Sequence, residues 1–215
     1  MTVQRFKRMG DIPGVGYEPP VHIDRSTLPG HDATARVARY GFDERVIESL
    51  RWESPGSHAG DFGGSRSPAH AVAFGGLDGE LATGALLMRL WEGLELPGQG
   101  SDYHFAVQGV AETLTSRRSR EPEVLEWVEF LCSLDIRLVQ ACPEAVTIDN
   151  AGIPEGASRF ASIPTFHLLT ELYTREGFLG DALNAARIAE RFEQARAPVA
   201  ELEGRLAALQ AEDGD

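Results

Sequence analysis

Residues 164–189, PTFHLLTELYTREGFLGDALNAARIA, constrain this chain most, because the order of large, small and turn residues describes two helices folded back on each other. Phe166, Leu169 and Tyr173 recur at i, i+3 and i+7 and lay one apolar stripe along a first helix. Gly177 follows, where a left-handed residue can end a helix without a Cβ clash, and Asp181 stands where a second helix can be capped. Ala182, Ala185 or Ala186, and Ala189 give that second helix a small-residue face for close approach. Leu183, Ile188 and Phe192 supply bulk around it.

Phe166, Leu169, Tyr173, Gly177, Ala182 and Ala189 also stand in the relative positions of a known pattern: residues 164–194 resemble one tetratricopeptide repeat, a helix-turn-helix unit. Two positions depart from it. Thr170 occupies a place where a smaller residue is usual, and Gln194 the place of a closing proline. The resemblance covers one repeat length. It implies an all-α fold of antiparallel helical hairpins stacked in a tetratricopeptide-like array, and binding of a protein partner.

The rest of the chain supplies further helical stripes. Leu81, Ala85, Met88 and Trp91 follow Asp78; Tyr103, Val107, Val110 and Leu114 follow Asp102. Pro122 suits a first turn, after which Trp127, Leu131, Leu134 and Leu138 run toward Pro143. Pro198 can start a last helix with Val199, Leu202, Leu206 and Leu209 on one side. That helix is expected to cap the open face of the hairpin, with a homodimer through it as the alternative. Asp32 and Asp43 can cap short helices carrying Val37 and Tyr40, then Val46, Ile47 and Leu50. Residues 53–70 are rich in Gly, Ser and Pro and form the longest expected loop. The expected division is an extended arm over 1–30, containing Pro13, Pro19, Pro20 and Pro29, then short helices and linker over 31–70, then a helical domain over 71–215.

Charge narrows the partners. The net charge is −13, and residues 121–215 carry eighteen acidic against seven basic side chains, a balance that opposes a phosphate backbone. Nucleic acid is therefore not expected, and Arg117, Arg118 and Arg120 form an isolated basic turn. No apolar run suits a membrane span, and MTVQRFKRMGDIPG lacks the apolar segment of a secretory signal, so a soluble, cytoplasmic protein is expected. Cys132 and Cys142 lack CxxC spacing and are expected to be reduced core thiols.

One constellation has metal-binding chemistry. His22, Asp24, His31 and Asp32 spell HxD-x6-HD, with the imidazole and carboxylate types that take zinc, manganese or iron, and look faintly like metal-phosphohydrolase motifs. Those motifs place their ligands on separate packed helices. Here the pairs share a proline-rich arm, which favours a surface loop. Asp61-Phe62-Gly63 and the glycines at 14, 16, 60, 63 and 64 lack the flanking elements of a kinase or phosphate-binding loop. Cys132 with His167 is a conceivable nucleophile and base, and Trp91, Trp127, Phe166 and Tyr173 a conceivable pocket lining. The core reading is preferred for both, and His104 and His167 are expected at a core edge or on the surface.

The sequence thus points to a noncatalytic interaction or assembly protein without a cofactor. Its partner would meet ridge residues of the 162–192 hairpin and the neighbouring helix at 122–141. The alternatives are a metal-dependent hydrolase using residues 22–32 and an acidic inhibitor or immunity protein binding a basic effector.

Overall fold

Apolar stripes with helical spacing become helices wherever a cap starts them and a glycine, proline or left-handed residue stops them. The computed structural model describes residues 4–28, 67–75, 77, 79–148, 159–194 and 198–212. Among these, seven α-helices run in chain order: α1 (Pro68–Gly75), α2 (Thr83–Leu94), α3 (Gly100–Arg117), α4 (Val124–Ala141), α5 (Pro164–Glu176), α6 (Leu179–Arg191) and α7 (Val199–Glu212). The described residues are all-α apart from a two-stranded ribbon, and from α3 onward each helix packs on the next. No described helix is long and apolar enough to cross a membrane.

The centre is α3 against α4, with α1, α2 and α5 packed around α3. Tyr103, Val107, Val110 and Leu114 of α3 are buried, as are Val128, Leu131, Leu134 and Leu138 of α4. Trp91 of α2 meets Trp127 and Phe130 of α4, both at 5.9 Å between ring centres, and closes one side of this core. Arg117 ties the turn before α2 to the end of α3: its guanidinium donates to Thr83 Oγ1 and to the carbonyls of Gly79 and Leu81.

The α5–α6 hairpin forms as the sequence predicts. Gly177 sits at φ +85°, and the following Phe178 N–H donates to Tyr173 O at 2.8 Å, closing α5. Ala182, Ala185, Ala186 and Ala189 are all buried. Asp181 lies within the first turn of α6 rather than at its cap, a position filled by Phe178. A carboxylate there still opposes the positive end of the helix dipole. Beyond the hairpin, Leu202 of α7 joins Leu179, Ala182, Leu183 and Ala186 in a second, smaller apolar cluster.

The arm is seated in the body. β1 (Arg5–Phe6) pairs antiparallel with β2 (Gly98–Gln99), Arg5 opposite Gln99 and Phe6 opposite Gly98. Met9, Ile12, Val15, Tyr17 and Leu28 are buried in the main core. Gly98 is required by close approach: a Cβ there would lie 2.6 Å from the Ala69 Cβ of α1. Arg8 Nη1 donates to Glu95 Oε2 at 3.3 Å and Arg25 Nε to Glu95 O at 3.0 Å, pinning both ends of the arm to the loop after α2.

Pro68 starts α1 inside the segment expected to be loop. The helices expected after Asp32 and Asp43, and the Asp61–Gly63 stretch, lie outside the described residues.

Candidate functional site

Among the described residues, three groups of polar side chains carry the residue types or the open space that chemistry or binding would need. The first two prove to be joints. In the deepest, His104 Nδ1–H of α3 donates to Asp135 Oδ1 of α4 at 2.7 Å, and Thr165 Oγ1 of α5 donates to Asp135 Oδ2 at 2.6 Å. All three side chains are fully buried, so one carboxylate fastens three helices where no substrate reaches. His104 therefore sits at the centre of the core, not at its edge. Its Nε2 is buried and has no hydrogen-bond partner among the described residues.

The second joint is made of Ser67, His70 and Asp102, residue types that in other arrangements perform nucleophilic catalysis. Ser67 caps α1 by accepting from His70 N–H at 3.0 Å, and donates its own proton to Asp102 Oδ2 at 2.6 Å. Asp102 Oδ2 also accepts from Gln99 N–H at 2.8 Å, in the capping box of α3. His70 Nδ1 meets the other oxygen, Oδ1, at 3.3 Å. A catalytic relay needs the hydroxyl proton to face the imidazole, and here it faces the carboxylate. Ser67 and Asp102 thus cap the N-termini of α1 and α3, with His70 closing on the second carboxylate oxygen.

The third place is open. Helices α3 and α5 end, and α4 begins, at one end of the bundle, leaving a cavity of about 290 Å³. Leu125 and Val128 of α4 and Leu168 and Leu172 of α5 give it an apolar wall. Thr115, Arg118, Ser119, Arg175 and Glu176 complete the lining. Arg118 Nη2 and Arg175 Nη1 approach the same atom, Glu171 Oε1, at 3.6 and 3.1 Å. One of the three arginines in the basic turn read from sequence thus meets an arginine more than fifty residues away in the chain. At the turn between α5 and α6, Phe178 is 58% exposed and stands edge-on to Tyr173, with ring centres 6.3 Å apart. Tyr173 OH donates to Glu129 Oε1 at 2.9 Å, joining the hairpin to α4. Burial, with that bond and its charge behind it, raises the Tyr173 phenol to about 12.

The other candidates read from sequence are scattered. Asp24 caps a single 3-10 turn over Arg25–Thr27, accepting from Ser26 Oγ and Ser26 N. Those two bonds, the hydroxyl first, hold its carboxyl below the usual range. His22 is nearby, whereas His31 and Asp32 lie outside the described residues. Among the described residues no group of three or more His, Cys, Asp or Glu side chains could hold a metal ion. Cys132 and Cys142 are free and buried. Burial raises both thiols, Cys142 to about 12 with a hydrogen bond to Glu144 adding to it. His167 is exposed beside Glu171, so it shares no environment with Cys132. Trp91 and Phe166 are core residues; Trp127 and Tyr173 are half-buried against that core.

Sequence reasoning missed Ser67 as a cap and the depth of His104. SPAH does carry a cap signal, a serine immediately before a proline at the first helical position. His104 carries one too, standing three and seven residues before the buried Val107 and Ala111. No family model, curated protein or solved structure matches this chain.

Proposed function

We propose that this chain is a noncatalytic helical interaction module in which α5, α6 and α7 act as a tetratricopeptide-like unit and present the α5–α6 tip to a protein partner. The observation that supports it is Phe178, the sole aromatic among the large apolar side chains that stand exposed in the described residues. An aromatic ring held in water on a turn between two packed helices is the type of group that dominates protein interfaces. The polar clusters fit the same reading, since they fasten helices instead of facing a substrate.

Selection of displayed random peptides against the full chain tests it, repeated against Phe178→Ser. The expected result is an apolar consensus whose affinity falls by about tenfold or more in the variant, as loss of an interface anchor should cost. Phe178 is exposed, so the variant is expected to keep its fold. Failure to enrich any consensus, or a consensus indifferent to Phe178→Ser, overturns the proposal.

A further inference from the structure

The cavity between the ends of α3 and α5 and the start of α4 has its own chemistry, independent of Phe178. Its wall is aliphatic: Leu125, Val128, Leu168 and Leu172. Its rim carries both signs of charge. Arg118 and Arg175 share one oxygen of Glu171, so two guanidiniums face a single carboxylate there, and Glu176 brings a second carboxylate to the lining. A wholly apolar occupant would take out of water two guanidiniums that have one carboxylate between them, together with Glu176, at a cost no aliphatic contact returns. A simple anion would suit the arginines and be opposed by Glu176, and a simple cation the reverse. A molecule with both charges and an aliphatic body satisfies the whole lining.

Size selects further. At about 30 Å³ per water, the cavity has room for roughly ten water-sized volumes, which accommodates an aliphatic amino acid. We propose that this cavity binds a small aliphatic zwitterion of the apolar α-amino-acid class. Its carboxylate lies between Arg118 and Arg175, its ammonium toward Glu176, and its side chain on the Leu125, Leu168 and Leu172 wall. Arg118 and Arg175 act as a two-point carboxylate clamp, for which lysine would be a poorer substitute because the planar guanidinium can donate in parallel.

Calorimetry on the full chain with L-leucine tests the proposal, against three probes that each lack one part: 4-methylpentanoic acid, 3-methylbutylamine and glycine. Leucine is expected to bind at one site, and each of the other three more weakly by about tenfold or more, the worth of one charge-assisted hydrogen bond or of the apolar body. Arg118→Gln, Arg175→Gln and Glu176→Gln should each weaken leucine by about tenfold as well, with circular dichroism unchanged because all three side chains reach solvent. Phe178→Ser should leave leucine binding as it was, which separates this site from the protein interface proposed above.

Absence of any heat with leucine at about 10 mM, tenfold above the top of the usual micromolar-to-millimolar range, overturns the proposal. So does 4-methylpentanoic acid binding as tightly as leucine with Glu176→Gln neutral, which would define an anion site. Equal binding of all four probes, insensitive to the three substitutions, would reduce the cavity to an apolar surface and overturn it too.

Discussion

The α3–α4 centre and the α6–α7 edge are both pairs of amphipathic helices, and they are held together by different means. In the centre, a large apolar core surrounds the Asp135 carboxylate, which bonds His104 and Thr165 from two other helices. At the edge, alanines let α6 approach its neighbours, Leu202 fills the second cluster, and the polar contact is an exposed Arg187–Glu203 pair at 2.8 Å. A surface pair of that kind contributes little. The centre is therefore specified by geometry that only one arrangement of three helices satisfies, and the edge by apolar area alone.

Three measurements would break or sharpen that contrast. The largest effect is expected from Asp135→Ala, which leaves a buried imidazole N–H and a buried hydroxyl without their acceptor and should cost about 3–5 kcal/mol in urea unfolding. Asp135→Asn should recover part of it, since the amide oxygen still accepts one of the two bonds. A loss below about 1 kcal/mol for the alanine variant, the worth of an ordinary hydrogen bond, would remove the distinction between centre and edge. Next is Leu202→Ala, expected to cost about 2–3 kcal/mol through lost burial and the cavity left behind. Amide hydrogen exchange should quicken in α7 and the face of α6 beneath it while α3 and α4 stay protected. Equal quickening in all four helices would show that the edge is no weaker than the centre.

The smallest effect is in alkali. Tyr173 is raised from 10.0 to about 12 and Cys142 from 9.0 to about 12. Both hold their protons more tightly folded than unfolded, so their contribution is complete below pH 9 and is lost as the pH rises from 9 through 12. Tyr173→Phe should flatten the part of that decline above pH 10, read as the slope of unfolding free energy against pH. An unchanged slope would mean that the Tyr173–Glu129 contact does not bind the hairpin to α4.

What could be read from the sequence follows from range. The stripe from Trp127 to Leu138, the glycine stop at Gly177 and the alanine face of α6 are local patterns, and each became the element it describes. The last helix begins at Val199, one residue after the proline expected to start it, and buries Leu202 while leaving Leu209 half exposed. The joints were not legible, because Ser67 and Asp102 are 35 residues apart and Asp135 and Thr165 are 30 apart. A serine or an aspartate announces a cap within its own turn and nothing about a second helix. The cavity was hidden for the same reason: Arg118 and Arg175 acquire a common meaning only when α3 and α5 end side by side. The arm was half legible. Its prolines and glycines predict extended chain, while the burial of Met9, Ile12 and Val15 depends on a surface built elsewhere.

That last dependence sets an order of events. The arm's pairing strand, β2, lies more than ninety residues further along the chain, and Glu95, which holds Arg8 and Arg25, is nearly as distant. A ribosome making this chain therefore releases the arm long before its seat exists. The apolar side chains of residues 9–28 must wait in water or on a chaperone until α2 and α3 have emerged and met. The first described segment to leave the ribosome finds its place only after α2 and α3 have met.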